Sequence, residues 1–277
     1  MNKLFLMSLA WLASSVIPVA FADTTSSIRY EQASYDNDGD SYYLDIDLGL
    51  DSKNHLEFGY SKNTSQVNTE ESESDSFYVG YYTDPAADLS TGVAYTSVTE
   101  ENYFDLDSIR LDFVMNTDNW AFTLSPELRS IDFYTTSNTT INTLSPALGV
   151  MASYYGFENV FITLGRTMYG YEKDVSTSTT SQSIFGRGNF SVTTVDQAYG
   201  LDDYRNRFVA GYDFGSGNMG VRHTRIVAAV DSAVTTINSV FFGYKFSDAW
   251  RTELSTGRVE DDFDDTRFVS AALGYHW

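Results

Sequence analysis

One unit recurs along this chain: about ten residues in which apolar and polar side chains alternate, closed by a turn. Its clearest instance is YYLDIDLGL, where Tyr42, Leu44, Ile46, Leu48 and Leu50 share one face and Tyr43, Asp45, Asp47 and Gly49 the other. Successive side chains of a strand point to opposite sides, so this stretch predicts a strand with one apolar face. Length constrains it further. An apolar band of about 25 Å, crossed by strands tilted near 40° at about 3.3 Å per residue, takes about ten residues. A strand of a soluble sandwich looks the same in isolation, and it is the repetition that separates the two.

The repetition is extensive. HLEFGY, FYVGYY, SIRLDFVM, WAFTLSPELR, LSPALGVMASY, VFITLGRTMYG, RNRFVAGYDF, MGVRHTRIVAAV, NSVFFGYKF and WRTELSTGR follow the same rule. With weaker runs at 28–35 and 89–98 and the final RFVSAALGYHW, about fourteen strands are expected, twelve and sixteen being the neighbouring even counts. The links alternate in character. DSKN, DPAAD, NTDN, GFEN, GSGN and SDA are tight and turn-rich, whereas NTSQVNTEESESD, TEENYFD, TTSNTTIN, the stretch 172–203 and EDDFDD are longer. DNDGD and DSAV break the pattern by being short. Within 172–203, SIFGRGNFSV reads either as a hairpin above or inside the mouth or as an irregular Ser/Thr-rich loop.

Hydropathy averages conceal such a chain. Mean hydropathy is -0.26, yet aromatics make up 16%, with 20 Tyr and 19 Phe, more than a core of this size needs. After the first residues no run approaches the about 18 apolar residues of a spanning helix, whereas barrel strands, alternating between lipid and lumen, escape such a search. At the start, Lys3 precedes the apolar run LFLMSLAWLASSVIPVA and then Ala20-Phe21-Ala22, which predicts a signal peptide over 1–22. Residues 23–277 are then expected to form a single β-barrel domain. The chain has no cysteine.

The final strand carries a resemblance. Val269, Ala271, Leu273, Tyr275 and Trp277 alternate with small or polar residues up to an aromatic last residue. This resembles the C-terminal signal of Gram-negative outer-membrane β-barrel proteins, with Leu273, Tyr275 and Trp277 at its apolar positions. Trp stands where Phe is commoner. The resemblance implies an all-β, closed antiparallel transmembrane barrel of the porin-like class, residing in the outer membrane among lipid and lipopolysaccharide. It also implies that the barrel assembly machinery recognises the last strand, which pairs with the first. Short turns and both termini would then face the periplasm, and longer loops the exterior.

Charge narrows the function. A formal net charge of -21 argues against nucleic acid as a partner. The acidic stretches Glu70, Glu71, Glu73, Asp75 and Glu260, Asp261, Asp262, Asp264, Asp265 read as solvated rim charges, or as carboxylates sharing divalent cations with lipopolysaccharide. If the apolar set faces lipid, then Asp45, Asp47, Glu57, Arg110, Asp112, Glu127, Arg129, Arg207, Asp213, Lys245, Arg251 and Glu253 point into the lumen. The opposite assignment would cost about 2–4 kcal/mol for each Arg or Lys at mid-bilayer. Acid is concentrated early, while Arg205, Arg207, Arg222 and Arg225 come late. Opposed acidic and basic walls suit a pore that filters small hydrophilic solutes and ions, with a cation preference. The alternative is that the same residues pair as a salt-bridge network filling a non-conducting barrel, whose function would then be adhesion or partner binding. About fourteen strands, leaving a lumen wider than side chains alone fill, favour the pore.

FITLGRTMYG and VRHTRIV each place an Arg on an apparently apolar face, which calls for a bulge, a rim position or a different register. Catalysis finds little support. His55, His223 and His276 are the only histidines, and no serine motif accompanies them, so neither an enzyme nor a cofactor is expected. No His/Cys spacing predicts a metal site, and DNDGD lacks the downstream Glu of a calcium loop. Monomeric and homo-oligomeric forms are both compatible with the sequence.

Overall fold

The computed structural model describes residues 25–36, 39–67, 70–100, 104–134, 140–173, 175, 201–229, 232–261 and 265–277. The expected signal peptide and the SIFGRGNFSV segment lie outside them. Fourteen strands form one closed antiparallel barrel. They are β1 (Ser27–Tyr35), β2 (Asp40–Gly49), β3 (Asn54–Val67), β4 (Glu70–Ala86), β5 (Leu89–Glu100), β6 (Phe104–Asn116), β7 (Trp120–Tyr134), β8 (Thr140–Phe157), β9 (Val160–Tyr169), β10 (Asp202–Asp213), β11 (Gly217–Ala228), β12 (Val234–Lys245), β13 (Trp250–Glu260) and β14 (Asp265–His276). Each pairs with its neighbours in sequence, and β14 closes onto β1 from Ser27↔His276 to Tyr35↔Phe268. Closure leaves no strand edge, as a structure surrounded by hydrocarbon requires.

The alternation read from the sequence becomes the two faces of this wall. Ile109, Leu111, Phe113 and Met115 of β6, Phe122, Leu124 and Leu128 of β7, and Val240 and Phe242 of β12 are exposed on the outside. Their sequence neighbours face the interior. At the near rim, where Ser26 and Trp277 lie, aromatic side chains form a girdle on the outer face. Trp120 stacks on Phe122 at 5.6 Å and packs on Tyr154 at 4.6 Å, and Tyr275 lies 4.7 Å from Trp250 and 5.8 Å from Trp277. Such amphipathic rings mark a membrane–water interface. Trp277 itself exchanges backbone hydrogen bonds with Ser26, both at 3.1 Å, so the expected terminal signal sits in the closing seam.

Turns at the near rim fall where expected. In DSKN, the carboxylate of Asp51 accepts the backbone N–H of Lys53 at 2.8 Å and of Asn54 at 2.9 Å, and the Asn54 side-chain amide at 2.7 Å. These bonds, the Asn54 amide foremost, hold the Asp51 carboxyl below its ordinary value. Gly215, in GSGN, has φ 84°, a left-handed conformation that glycine adopts without steric cost.

The far rim differs from expectation. NTSQVNTEESESD is mostly strand: β3 and β4 stay paired up to Val67↔Glu70, so Glu70, Glu71, Glu73 and Asp75 belong to β4 and not to a loop. Polar side chains on both faces are tolerated there because the ladder has risen beyond the apolar belt. Tyr60 marks the boundary, donating its hydroxyl to Asp75 at 2.5 Å, and Lys62 pairs with Glu73 at 2.7 Å just above. TEENYFD and EDDFDD shrink to links of a few residues for the same reason, with Glu100 paired to Phe104 and Glu260 to Asp265. Carboxylates Glu260 and Asp265 are both engaged by Arg258.

Candidate functional site in the barrel interior

Strand register decides which polar residues share the interior. Asp47 of β2 pairs with Glu57 of β3, and Asp45 with Gly59, so three carboxylates from adjacent strands stand on one stretch of inner wall. Glu57 continues into a hydrogen-bonded strip. Tyr78 donates to Glu57 Oε2 at 2.8 Å and touches the Tyr82 hydroxyl; Tyr82 reaches Asp112 at 3.4 Å; Asp112 also accepts Ser125 at 2.6 Å and Arg110 Nε at 3.0 Å. Glycines make the strip possible. A Cβ on Gly92 would sit 2.2 Å from Tyr82 Cδ1, and one on Gly80 2.6 Å from Tyr82 Cε2, so these rings lie flat against the wall only because glycine is beneath them.

Half-way round the fourteen-strand ring from β3 stands β10, and the residues around it are basic. Arg205 and Arg207 of β10 and Arg222 of β11 share the inner face, as Val209↔Arg222 and Arg207↔Thr224 pair across the seam. Arg205 bonds Asp202 at 2.6 Å, and Arg222 bonds Glu253 at 3.0 Å. Arg29 of β1 links the two sectors, lying 3.2 Å from Glu31 and 3.5 Å from Glu253. A cavity of about 560 Å³ opens at the near rim between β1 and β10–β14, lined by Arg29, Asp213, Lys245, Arg251, Glu253 and His276 among others.

All twelve charged residues expected on the inner face lie on it by register, but they are not equivalent. Asp45, Asp47, Glu57, Arg110, Asp112, Glu127, Arg207, Arg251 and Glu253 face the interior along the wall. Asp213 and Lys245 sit at the mouth, where Asp213 caps the turn through Gly215 N–H at 2.7 Å and Lys245 pairs with Asp248 at 3.1 Å. Arg129 departs furthest from a pore-lining role. It is 1% exposed, with its guanidinium 4.0 Å above Tyr169 and hydrogen bonds to Ser145 at 2.8 Å and Tyr171 at 3.2 Å. It belongs to a packed cluster near the far rim. There Val98, Leu106 and Ile131 meet Val175 and Leu201, the flanks of the long link, which fold back into the barrel. A second apolar cluster, of Ala33, Tyr35, Ile226, Ile237, Val259 and Phe268, fills the far end on the opposite side.

Sequence reasoning passed over Arg29, Glu31, Tyr78 and Tyr82. Arg29 and Glu31 lie in one of the weaker runs, and the tyrosines read as part of an aromatic strand; only pairing with Glu57 and Asp112 gives them a polar role. The arginines on apolar faces resolve as rim positions without a bulge. Arg166 and Arg225 point outward near the far rim and share Tyr204, the first 4.6 Å above its ring and the second bonded to its hydroxyl at 3.0 Å. His223 also points outward. Its Nδ1 meets Asn238 Oδ1 at 2.8 Å, and the next residue on that face is Arg225, where a hydrolase would need its nucleophile.

An apolar belt, an aromatic girdle and a closed even-stranded wall around a polar interior define an outer-membrane β-barrel of porin-like architecture. Comparison with solved structures agrees on the fold. The barrel is similar to the CymD monoaromatic hydrocarbon channel, with a TM-score of 0.58, 12% identity, and coverage of 92% of this chain and 88% of that one. It is also similar to the NanC porin, with a TM-score of 0.50, 6% identity, and coverage of 90% and 98%. By their descriptions the first is a channel and the second a porin. No family profile and no curated protein sequence matches the chain.

Proposed function

We propose that the barrel is a passive outer-membrane channel for small hydrophilic solutes and ions, preferring cations. The observation that carries this reading is the opposition of the Asp45, Asp47 and Glu57 wall to the arginine sector around β10, beside a cavity of about 560 Å³ opening at the near rim. Fourteen strands enclose more space than side chains alone fill, and a transverse field across such a lumen orders water and selects polar solutes. The carboxylate wall favours cations. Small solutes, lipid and lipopolysaccharide are the partners this reading requires, with the assembly machinery acting through Leu273, Tyr275 and Trp277.

Single-channel recording in a planar bilayer tests it. Discrete steps with a reversal potential toward that of the cation are the expected result. A second reading, a non-conducting barrel that works by binding, is favoured by the two apolar clusters at the far rim and the paired state of Arg205 and Arg222. Silence from protein shown to be folded by heat-modifiable gel migration would select it, and a chloride-directed reversal potential would overturn the cation preference.

A further inference from the structure

We propose that Asp47, His55 and Glu57 form a binding site for a divalent transition-metal ion of the zinc class, at the near-rim mouth of the interior. One nitrogen and two carboxylate oxygens from these residues lie within 4.8 Å of one another. Spacing along the chain conceals the group, because β2 and β3 contribute to it from either side of a turn. Register assembles it: Asp47 and Glu57 are directly paired, and His55 is two residues from Glu57 on the same face, opposite Gly49, which has no side chain to crowd it.

Each ligand is already held. The His55 ring stacks on Tyr82 at 5.1 Å with planes 10° apart, which leaves Nε2 3.7 Å from Glu57 Oε1. Glu57's other oxygen accepts the Tyr78 hydroxyl at 2.8 Å, the kind of outer hydrogen bond that orients a metal-binding carboxylate. Asp47 Oδ1 is buried and has no hydrogen-bond partner, an unsatisfied state that a cation would relieve. Metal bonds of about 2.0–2.2 Å require donor atoms about 3.4 Å apart, so the group would close by roughly an ångström on binding. A second of the chain's three histidines, His276, stands across Ser27 from Asp47 in the strand register.

Imidazole with two carboxylates is a ligand set for zinc or its first-row neighbours, whereas calcium and magnesium sites are built from oxygen. Three protein ligands leave a coordination position open to water. Two carboxylates and one divalent cation sum to no net charge. Bound zinc would therefore cancel much of the acidic wall, an effect on permeation that rests on the channel reading, while binding itself does not.

The test is calorimetric titration of zinc chloride into tag-free, refolded barrel near neutral pH. One saturable site is expected. His55→Phe, which keeps the stack on Tyr82, and Asp47→Asn should each weaken it by at least about tenfold, the loss that even outer partners of a metal ligand bring. His223→Phe, on the outer surface, should leave it unchanged. Gel migration reports whether each variant is folded, with His55→Gln replacing His55→Phe if that one fails. No saturable binding, or binding that survives both substitutions, overturns the site. In a bilayer, zinc on the periplasmic side should reduce cation preference reversibly on chelation. A barrel that binds zinc yet never conducts would remove the channel and leave the metal site standing.

Discussion

The two ends of the barrel interior are built from different chemistry. Toward the far rim, Phe268, Leu106, Ile131 and Leu201 are at most 2% exposed, and even a charged residue there, Arg129, is enclosed by Tyr169, Tyr171 and Ser145. Toward the near rim the interior is polar and ionic, with Arg29 and Glu253 lining the cavity, Arg222 paired to Glu253, and the Asp47–His55–Glu57 group on the β2–β3 wall. Burial of apolar surface scales with area, whereas ion pairs open to water contribute little. The far end is therefore expected to hold the barrel together, and the near end is the part that the proposed channel would use.

The largest effect should come from the dry end. Phe268→Ala empties the cluster it shares with Tyr35, whose ring lies 5.8 Å away, and is expected to lower unfolding free energy by about 3–5 kcal/mol. Denaturant titration of the barrel in lipid vesicles measures this. A loss below about 1 kcal/mol would mean that the far end is not the stabilising core. Arg129→Met keeps much of the volume but removes the donor to Ser145 and to Tyr171, whose hydroxyl keeps only its bond to the Asp202 carbonyl at 2.6 Å, for an expected loss of about 1–3 kcal/mol by the same titration.

At the near end the same measurement should barely move. Arg222→Gln removes the part-buried pairing with Glu253 and the stack 4.1 Å over Phe241, and its stability cost is expected to stay at about 1 kcal/mol. Function should move instead. Leaving Glu253 without its Arg222 partner makes the mouth more acidic, so the reversal potential should shift further toward the cation, while Glu57→Gln should shift it back. Equal shifts in one direction from both substitutions would break the assignment of opposed walls.

This contrast also explains what was legible beforehand. Period-two alternation is a local property, so strand number, outward faces and tight turns such as DSKN and GSGN could be read from residues close in sequence. Interior chemistry is a property of pairing. Whether Tyr82 is one more aromatic or the plate beneath His55 depends on the β3–β4 register, and whether Arg129 lines a pore or a core depends on where Tyr171 and Leu201 return to. Link lengths misled because NTSQVNTEESESD has the polarity of a loop and the pairing of a strand. Polarity reports contact with water, which a ladder standing above the membrane also has.

The smallest expected effect is in the turn that joins β2 to β3, and it carries a defined sign with pH. Asp51 holds DSKN closed through Lys53 N–H and Asn54, and those bonds place its folded-state pKa below the unfolded 3.8. A depressed carboxylate contributes stability that is fully present above the unfolded value and is lost as pH falls through the folded one. Asp51→Ala should therefore lower the barrel's thermal midpoint slightly at neutral pH, and the gap to the parent should narrow as the solution is acidified below about pH 4. Because the turn adjoins His55, the substitution also loosens one edge of the proposed metal group. A zinc affinity that falls in Asp51→Ala while the reversal potential without zinc stays put would tie the near-rim turn to the proposed ion site and not to the rest of the carboxylate wall.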